Sequence, residues 1–254
     1  MLLHNDGCMG SRRDSERAGQ ALLKEQADYY RERAPEYDEW WQRTGRYDRG
    51  PAATARWQAE VSQLEAELAR AALDGDVLEL ASGTGWWTER LARTARHLTC
   101  IDASPETIEI NRARLSAVGL AEPQYKLADL FEWEPTEEFD AVFFSFWLSH
   151  VPNDRFAPFW AKVARALRPG GRAVFIDSLP DQTSTAHDHR MPDPDGVQQR
   201  RLNDGRTFRI VKLFRQPDQL TNELQVLGWQ ATVGRTSNYF AAKRHAWPKS
   251  ATKD

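Results

Sequence analysis

The chain of 254 residues has little sulfur. Its two cysteines, Cys8 and Cys100, lie far apart, which excludes a disulfide framework and a cysteine-rich metal site. Cys100 sits in an apolar run, so a buried reduced thiol is expected. No apolar run is long enough to span a bilayer, and residues 1–22 hold no stretch suited to a signal peptide. A cytoplasmic protein with no membrane partner is expected. A basic excess is also missing: 34 Lys and Arg stand against 37 Asp and Glu, a net charge of −3. Polyanion binders usually carry a strong positive stripe, so nucleic acid is not the expected partner. Internal repeats are absent. Tryptophan, by contrast, is abundant. The ten include Trp40–Trp41, Trp86–Trp87 and Trp147, each beside an expected loop or element end. Taken singly each fits core packing; together they suggest an aromatic-lined pocket.

Residues 1–20 are polar and read as a frayed leader. "EQADYYRERAPEYDEWW" reads as two short helices broken near Pro35. Trp57, Val61, Leu64 and Leu68 recur at helical spacing and define an amphipathic helix. Strands and helices then alternate: "DVLELA", "WTERLARTA", "HLTCIDA", "SPETIEINRARLSAVG" (Ser104 as N-cap, Pro105 at the first helical position), "PQYKLAD", "DAVFFSF", "DRFAPFWAKVARAL", "GRAVFIDS". Such alternation is the grammar of a doubly wound parallel sheet. "LPDQTSTAHDHRMPDPDG" is polar and Pro-rich and reads as a mobile lid. His187 and His189 within it read as solvated, since a metal needs rigidly held ligands. Asp204–Gly205 between two strand-like runs predicts a hairpin. A helix over "PDQLTNELQVLG" and two final strands turning at Ser237–Asn238 complete the chain.

The turn in "VLELASGTGWWT", residues 77–88, is the first candidate site. A phosphate-cradling loop would need Gly-Lys-Ser/Thr after the glycines, and none follows. A dinucleotide fold wants three glycines; here Ala81, Gly83 and Trp86 hold those positions. An indole at the third would obstruct close helix–strand packing and crowd a pyrophosphate. A nucleoside without phosphates fits better.

Several segments together resemble the class I S-adenosylmethionine-dependent methyltransferases, and within them the bacterial small-molecule branch of ubiquinone and menaquinone methyltransferases. These are "YYRERAPEYD", "ELASGTG", "CIDAS", "LAD", "FFSFWLSHVP", "LRPGGRAVFID" and the terminal strand pair, in order over residues 25–245. Ala81 stands where that family's first glycine usually sits. The resemblance implies a Rossmann-like fold: a doubly wound, mainly parallel seven-stranded sheet with an antiparallel terminal strand, an N-terminal helical cap and a β-hairpin insert. The implied organisation is a flexible tail over 1–22, one domain over 23–245 with its cap at 25–41 and its lid and hairpin at 178–213, and a flexible tail over 246–254. S-adenosylmethionine is the implied cofactor, S-adenosylhomocysteine its product, and a small apolar or aromatic metabolite the acceptor. The same resemblance places the cofactor on Glu79, Ala81, Gly83, Gly85, Trp87, Thr88, Asp102, Ala103, Asp129, Leu130 and Phe146. Asp102 would hold the ribose hydroxyls, as a carboxylate about twenty residues after such a turn can. Asp129 would meet the adenine, and the turn at Trp87 and Thr88 the methionine carboxylate.

Plainer readings stand beside these. Gly83 and Gly85 could serve only the turn, Asp102 only a helix cap, Trp87 and Thr88 only packing and capping. For the acceptor, Tyr29, Tyr30, Trp41, Trp147 and Arg209 are candidates. Tyr37 and His150 are the catalytic candidates, His150 as a base or else as a loop anchor. Arg200, Arg201, Arg206, Arg209 and Lys212 give the hairpin a basic cast, read as solvated charge with an anionic acceptor group as the minority alternative. No metal is expected: the end of the fourth strand reads "SFWL", without the carboxylate of magnesium-dependent relatives, and without the Pro-Pro motif of DNA amino-methyltransferases. The alternatives kept open are an adenosylmethionine-binding enzyme with cyclase-like chemistry, an NAD-linked oxidoreductase, and a silent binding protein; the assembly is a monomer or homodimer.

Overall fold

A computed structural model describes residues 7–236 and 239–246. Helix α1, Gly7–Arg33, continues through a short 3-10 turn at Ala34–Glu36 into α2, Glu39–Gln42, and α3 spans Pro51–Ala71. Then come β1 Asp76–Leu80, α4 Trp86–Leu91, β2 His97–Asp102, α5 Pro105–Ala117, β3 Gln124–Leu127, β4 Phe139–Ser145, α6 Asn153–Arg165 and β5 Leu167–Ser178. The hairpin is β6 Val197–Arg201 and β7 Thr207–Val211; α7 Pro217–Val226, β8 Trp229–Arg235 and β9 Tyr239–Ala246 follow.

Seven strands form one sheet in the order β3-β2-β1-β4-β5-β9-β8. The pairs from β3 to β5 are parallel; β9 runs antiparallel to both β5 and β8. The expected doubly wound sheet is therefore present. Its five adjacent parallel strands are followed by one reversed strand inside the far edge. Alternation on the central strands feeds two cores. Leu78, Leu80, Val142 and Phe144 face α6 and α7, where Phe159, Trp160, Val163, Leu220 and Leu224 pack. Val77, Ala141 and Phe143 face α3 and α4, where Trp57, Leu64, Leu68, Trp87 and Leu91 pack. Each Val, Leu or Phe among them contributes about 1.5–3 kcal/mol on burial.

Two segments outside that grammar meet above the carboxyl ends of the parallel strands. Tyr29 of α1 packs with Leu202 and Ile210 of the hairpin, and Val211 N donates to the Gln26 side chain at 2.9 Å. The hairpin turns at Asp204–Gly205, with Gly205 at φ +93° and Arg206 N donating to Asp204 Oδ1.

Three expectations change. The expected tail over 1–22 is helical from Gly7. The stripe by which α1 docks includes Gln26, Tyr29 and Arg33, so it shows little apolar periodicity in sequence. The lid is docked rather than solvated: Arg43 donates to the Thr183 and Ser184 carbonyls and Trp40 to Ser184 O. His189 is buried against Arg200, with Nη1 and Nδ1 2.7 Å apart. The turn expected at Ser237–Asn238 and most of the expected C-terminal tail lie outside the described residues.

Candidate active site

β1 ends in three backbone inversions, Ala81 at φ +52°, Gly83 at +55° and Gly85 at +89°. Such values favour glycine, and alanine pays roughly 1–2 kcal/mol for them. At Gly85 a Cβ would collide with the side chain of Asn111. Asn111 Nδ2 donates to Thr88 Oγ1 at 2.8 Å and accepts on Oδ1 from the Tyr125 hydroxyl at 2.9 Å; Thr88 Oγ1 in turn donates to Glu79 Oε2 at 2.6 Å. Glu79, Thr88 and Asn111 are thus one buried network behind the turn. The cap is fastened to the same turn: Thr84 Oγ1 donates to Asp38 Oδ1 at 2.7 Å, Arg114 Nε donates to Thr84 O at 2.8 Å, and Arg114 also pairs with Asp38.

Burial pushes the Glu79 carboxyl up to about 8, against the lowering effect of the Thr88 and Cys100 donors. The folded chain therefore keeps this proton up to about pH 8, whereas the unfolded chain releases it near pH ~4.3. Between those values the unfolded state binds fewer protons, so this group's contribution makes stability fall as pH rises. Glu79→Gln is expected to flatten that fall. Thermal scans from about pH 5 to 8 check it, and an equally steep decline in the variant would reject it.

Asp102 closes β2 in front of the turn. Its Oδ2 accepts from Gly83 N at 2.8 Å; its Oδ1 accepts from Ser104 N at 2.9 Å and Thr107 Oγ1 at 3.0 Å. Burial raises its carboxyl above the usual range, and the Ser104 and Gly83 donors oppose that rise. A cavity of about 110 Å³ opens beside it. Ala81, Gly83, Ala103, Asp129, Leu130 and Phe146 line this cavity, with Tyr30, Tyr37, Trp147 and His150. Seven of the expected cofactor residues, counting Asp102, thus come together. Glu79, Gly85, Trp87 and Thr88 do not line it; they stand behind the turn, where Trp87 is core. Asp129 is exposed, and its Oδ1 accepts from Phe131 N at 2.9 Å. Phe146 holds φ +54° at the end of β4, a strained position for a bulky side chain, and its ring packs on Trp40, Trp41 and Tyr239.

A second cavity of about 60 Å³ adjoins the first, sharing Tyr30, Tyr37, Phe146 and His150. His150 is buried, and its Nδ1 lies 2.7 Å from the Val211 carbonyl. A carbonyl only accepts, so Nδ1 carries the hydrogen and Nε2 accepts from the Tyr30 hydroxyl at 2.8 Å. Burial, then the Lys212, Arg200 and Arg33 charges, hold this imidazole well below its ordinary pKa, hence neutral. Burial likewise pushes the Tyr37 phenol up to about 12.

The remaining acceptor candidates do not reach either cavity. Tyr29 is fully buried, Trp41 stacks on Trp86 at 4.6 Å, and Arg209 pairs with Glu25 at the surface. The aromatic pocket expected from the tryptophans is mostly a packed cluster; of the described tryptophans only Trp40 and Trp147 line either of these two cavities. Residues that sequence reasoning missed include Leu23, Gln26, Ala27 and Arg33 of α1, Phe131, and several of the lid and hairpin, among them Asp181, Ser184 and Gln198. Among the described residues no three His, Cys, Asp or Glu side chains cluster as metal ligands would.

A family profile described as a methyltransferase domain matches residues 77–171, from the first strand into the fifth. The solved DhpI-SAH complex is 38% identical, with a TM-score of 0.69, over 90% of this chain and 98% of that one. The demethylmenaquinone methyltransferase of Tropheryma whipplei (strain Twist) is 36% identical over 102 residues, 40% of this chain and 41% of that protein. The ubiquinone biosynthesis O-methyltransferase of Xylella fastidiosa (strain 9a5c) is 34% identical over 106 residues, 41% of each chain. The match thus spans about two-fifths of the length of these two curated relatives.

Proposed function

Because the chain belongs to the class I S-adenosylmethionine-dependent methyltransferases, we propose that it methylates an oxygen, nitrogen or carbon of a small metabolite without a metal. The observation that carries this is the meeting of Asp102 with the inverted turn at Ala81–Gly85 on a cavity otherwise walled by Phe131, Phe146 and Trp147. That donor set fits a nucleoside with a charged, phosphate-free tail: one carboxylate for a ribose, apolar rings for a base, and no lysine at the turn. When bound, S-adenosylmethionine supplies a sulfonium methyl, and the C–S electron pair stays on sulfur as the acceptor atom takes the carbon.

The protein's part is alignment and exclusion of water. Asp102 holds the ribose end. Asp129 and Leu130 take the base end. Tyr37 and Tyr30, neutral phenols, turn oxygen and ring faces toward a cationic centre, which both stabilise. His150 orients the Tyr30 hydroxyl; protonating it would add a cation beside Arg33, Arg200 and Lys212, so it is a positioning residue more than a base. A free buried Cys100 supports a cytosolic setting.

Calorimetry tests the reading. S-adenosylmethionine and S-adenosylhomocysteine should bind at micromolar strength and NADH should not; the acceptor should gain one methyl by mass. Heat from NADH alone would overturn the assignment. Turnover should survive EDTA, because Ser145, Phe146 and Trp147 at the end of β4 offer no carboxylate. Loss with EDTA and recovery with magnesium would refute the metal-free mechanism.

A further inference from the structure

The 60 Å³ cavity has an imbalance of charge. Arg33, Arg200 and Lys212 all line it, and none of the three lines the cavity beside Asp102. Arg33 is 7% exposed; its guanidinium donates to the Tyr47 hydroxyl at 3.0 Å and lies 4.5 Å from the Tyr37 ring centre. Arg200 donates from Nη1 to Thr185 Oγ1 at 2.9 Å, and its Nε is buried without a hydrogen-bond partner. Among the described residues no carboxylate lies within ion-pair distance of Arg33 or Arg200. Lys212 is 6% exposed, donates to Ser149 Oγ at 2.8 Å, and has Asp177 at 4.0 Å. The Asp177 carboxylate is engaged by Ser149 N, Ser149 Oγ and Ser178 N. Asp177 does not line the cavity; among the described residues Asp181 is the one carboxylate on the wall, and it accepts from Thr183 N. His150 and His189, also buried nearby, are held neutral by burial and by these same cations.

Lys212 has Asp177 for counter-charge, but Arg33 and Arg200 have none among the described residues; burying cations unpaired is costly, and a ligand anion would offset it. The space available is about twice the ~30 Å³ that one water occupies in the liquid. It suits a compact head group. Arginine forks match the paired oxygens of carboxylate and phosphoryl groups. Accepting the methyltransferase reading above, on which this rests, we propose that the methyl acceptor carries an oxyanion, a phosphoryl or a carboxylate, seated among Arg33, Arg200 and Lys212. The rest of the acceptor then faces Tyr30, Tyr37 and Phe146, which both cavities share, and points its reactive atom toward the cofactor end.

The test uses the full-length protein saturated with S-adenosylhomocysteine. Inorganic phosphate and acetate are titrated separately, by calorimetry and by thermal shift, against potassium chloride at equal ionic strength. Saturable binding of either anion is expected, weakened at least tenfold in Arg200→Met and in Lys212→Met, with the affinity for S-adenosylhomocysteine unchanged in both. Preference for phosphate assigns a phosphoryl head and preference for acetate a carboxylate. Arg33→Lys, which keeps the charge but not the fork, should fall between wild type and Arg33→Met. Unaltered melting temperatures in at least one of these variants separate lost binding from lost folding. No anion effect on a protein that binds S-adenosylhomocysteine overturns the oxyanion subsite alone. A protein that binds neither anion nor S-adenosylhomocysteine overturns the methyltransferase reading with it.

Discussion

Asp102→Ala is expected to weaken S-adenosylmethionine binding by about 2–4 kcal/mol, roughly thirty- to several-hundred-fold in Kd. Each charge-assisted hydrogen bond from a ribose hydroxyl is worth about 1.5–3 kcal/mol, and two such bonds are not additive. The structure narrows the direct share. Oδ1 already accepts from Ser104 N and Thr107 Oγ1, whereas Oδ2 accepts from Gly83 N, so Oδ2 has the freer capacity for a diol. The other share is indirect: the variant leaves Gly83 N without its acceptor and loosens the turn. Calorimetry on the folded variant measures the sum. An unchanged dissociation constant would mean that the ribose lies elsewhere.

Removing the cap is expected to have the larger effect on turnover. Deleting residues 1–20 takes away the part of α1 ahead of the docked stripe and should leave kcat/KM within about twofold. Deleting through Arg33 also removes Gln26, Tyr30 and Arg33 from the two cavities, and should lower turnover at least a hundredfold, since small misplacement of reacting groups alone costs about that much. Trp40 and Trp41 remain to pack on Trp57, so the sheet should stay folded, which circular dichroism checks. The cavity beside Asp102, about 110 Å³, is small next to the roughly 300–1,000 Å³ of ligand pockets. Ligands must therefore displace the cap to enter, and hydrogen exchange should show 25–41 and 178–213 protected once product and acceptor are both bound. Normal turnover by the longer deletion would make α1 a packing element only.

The sheet was legible because its strands and helices announce themselves locally. Leu78, Leu80 and Phe144 alternate with Val77 and Phe143, and Ser104–Pro105 marks the start of α5, where Ser104 Oγ accepts from Thr107 N at 3.1 Å. Asp102 and Gly83 were legible for the same reason: a strand end and the turn beside it fix each other's position. Arg33, Gln26 and Leu23 were not. They act through a helix whose docking stripe is polar, against a hairpin some 180 residues away, as in the contact of Gln26 with Val211. Local pattern carries no trace of such pairing. Nor could composition tell that Trp41 and Trp86 stack on each other instead of on a ligand, or that His189 is buried against Arg200.

Asp38 ties the cap to the cofactor turn through Thr84 and Arg114, and that fastening makes the two ligand affinities a single linked quantity. A cofactor that settles the turn also settles the cap, and an acceptor held under the cap stiffens the turn in return. By thermodynamic reciprocity, whatever factor the cofactor product adds to acceptor affinity, the acceptor adds to the cofactor product's. On the proposed placement the cofactor sits beside Asp102 with the acceptor above it, so the cofactor is expected to load first and the methylated acceptor to leave before the cofactor product. A steady-state pattern with the cofactor product competitive against cofactor alone would follow from one carboxylate at the head of a one-turn helix.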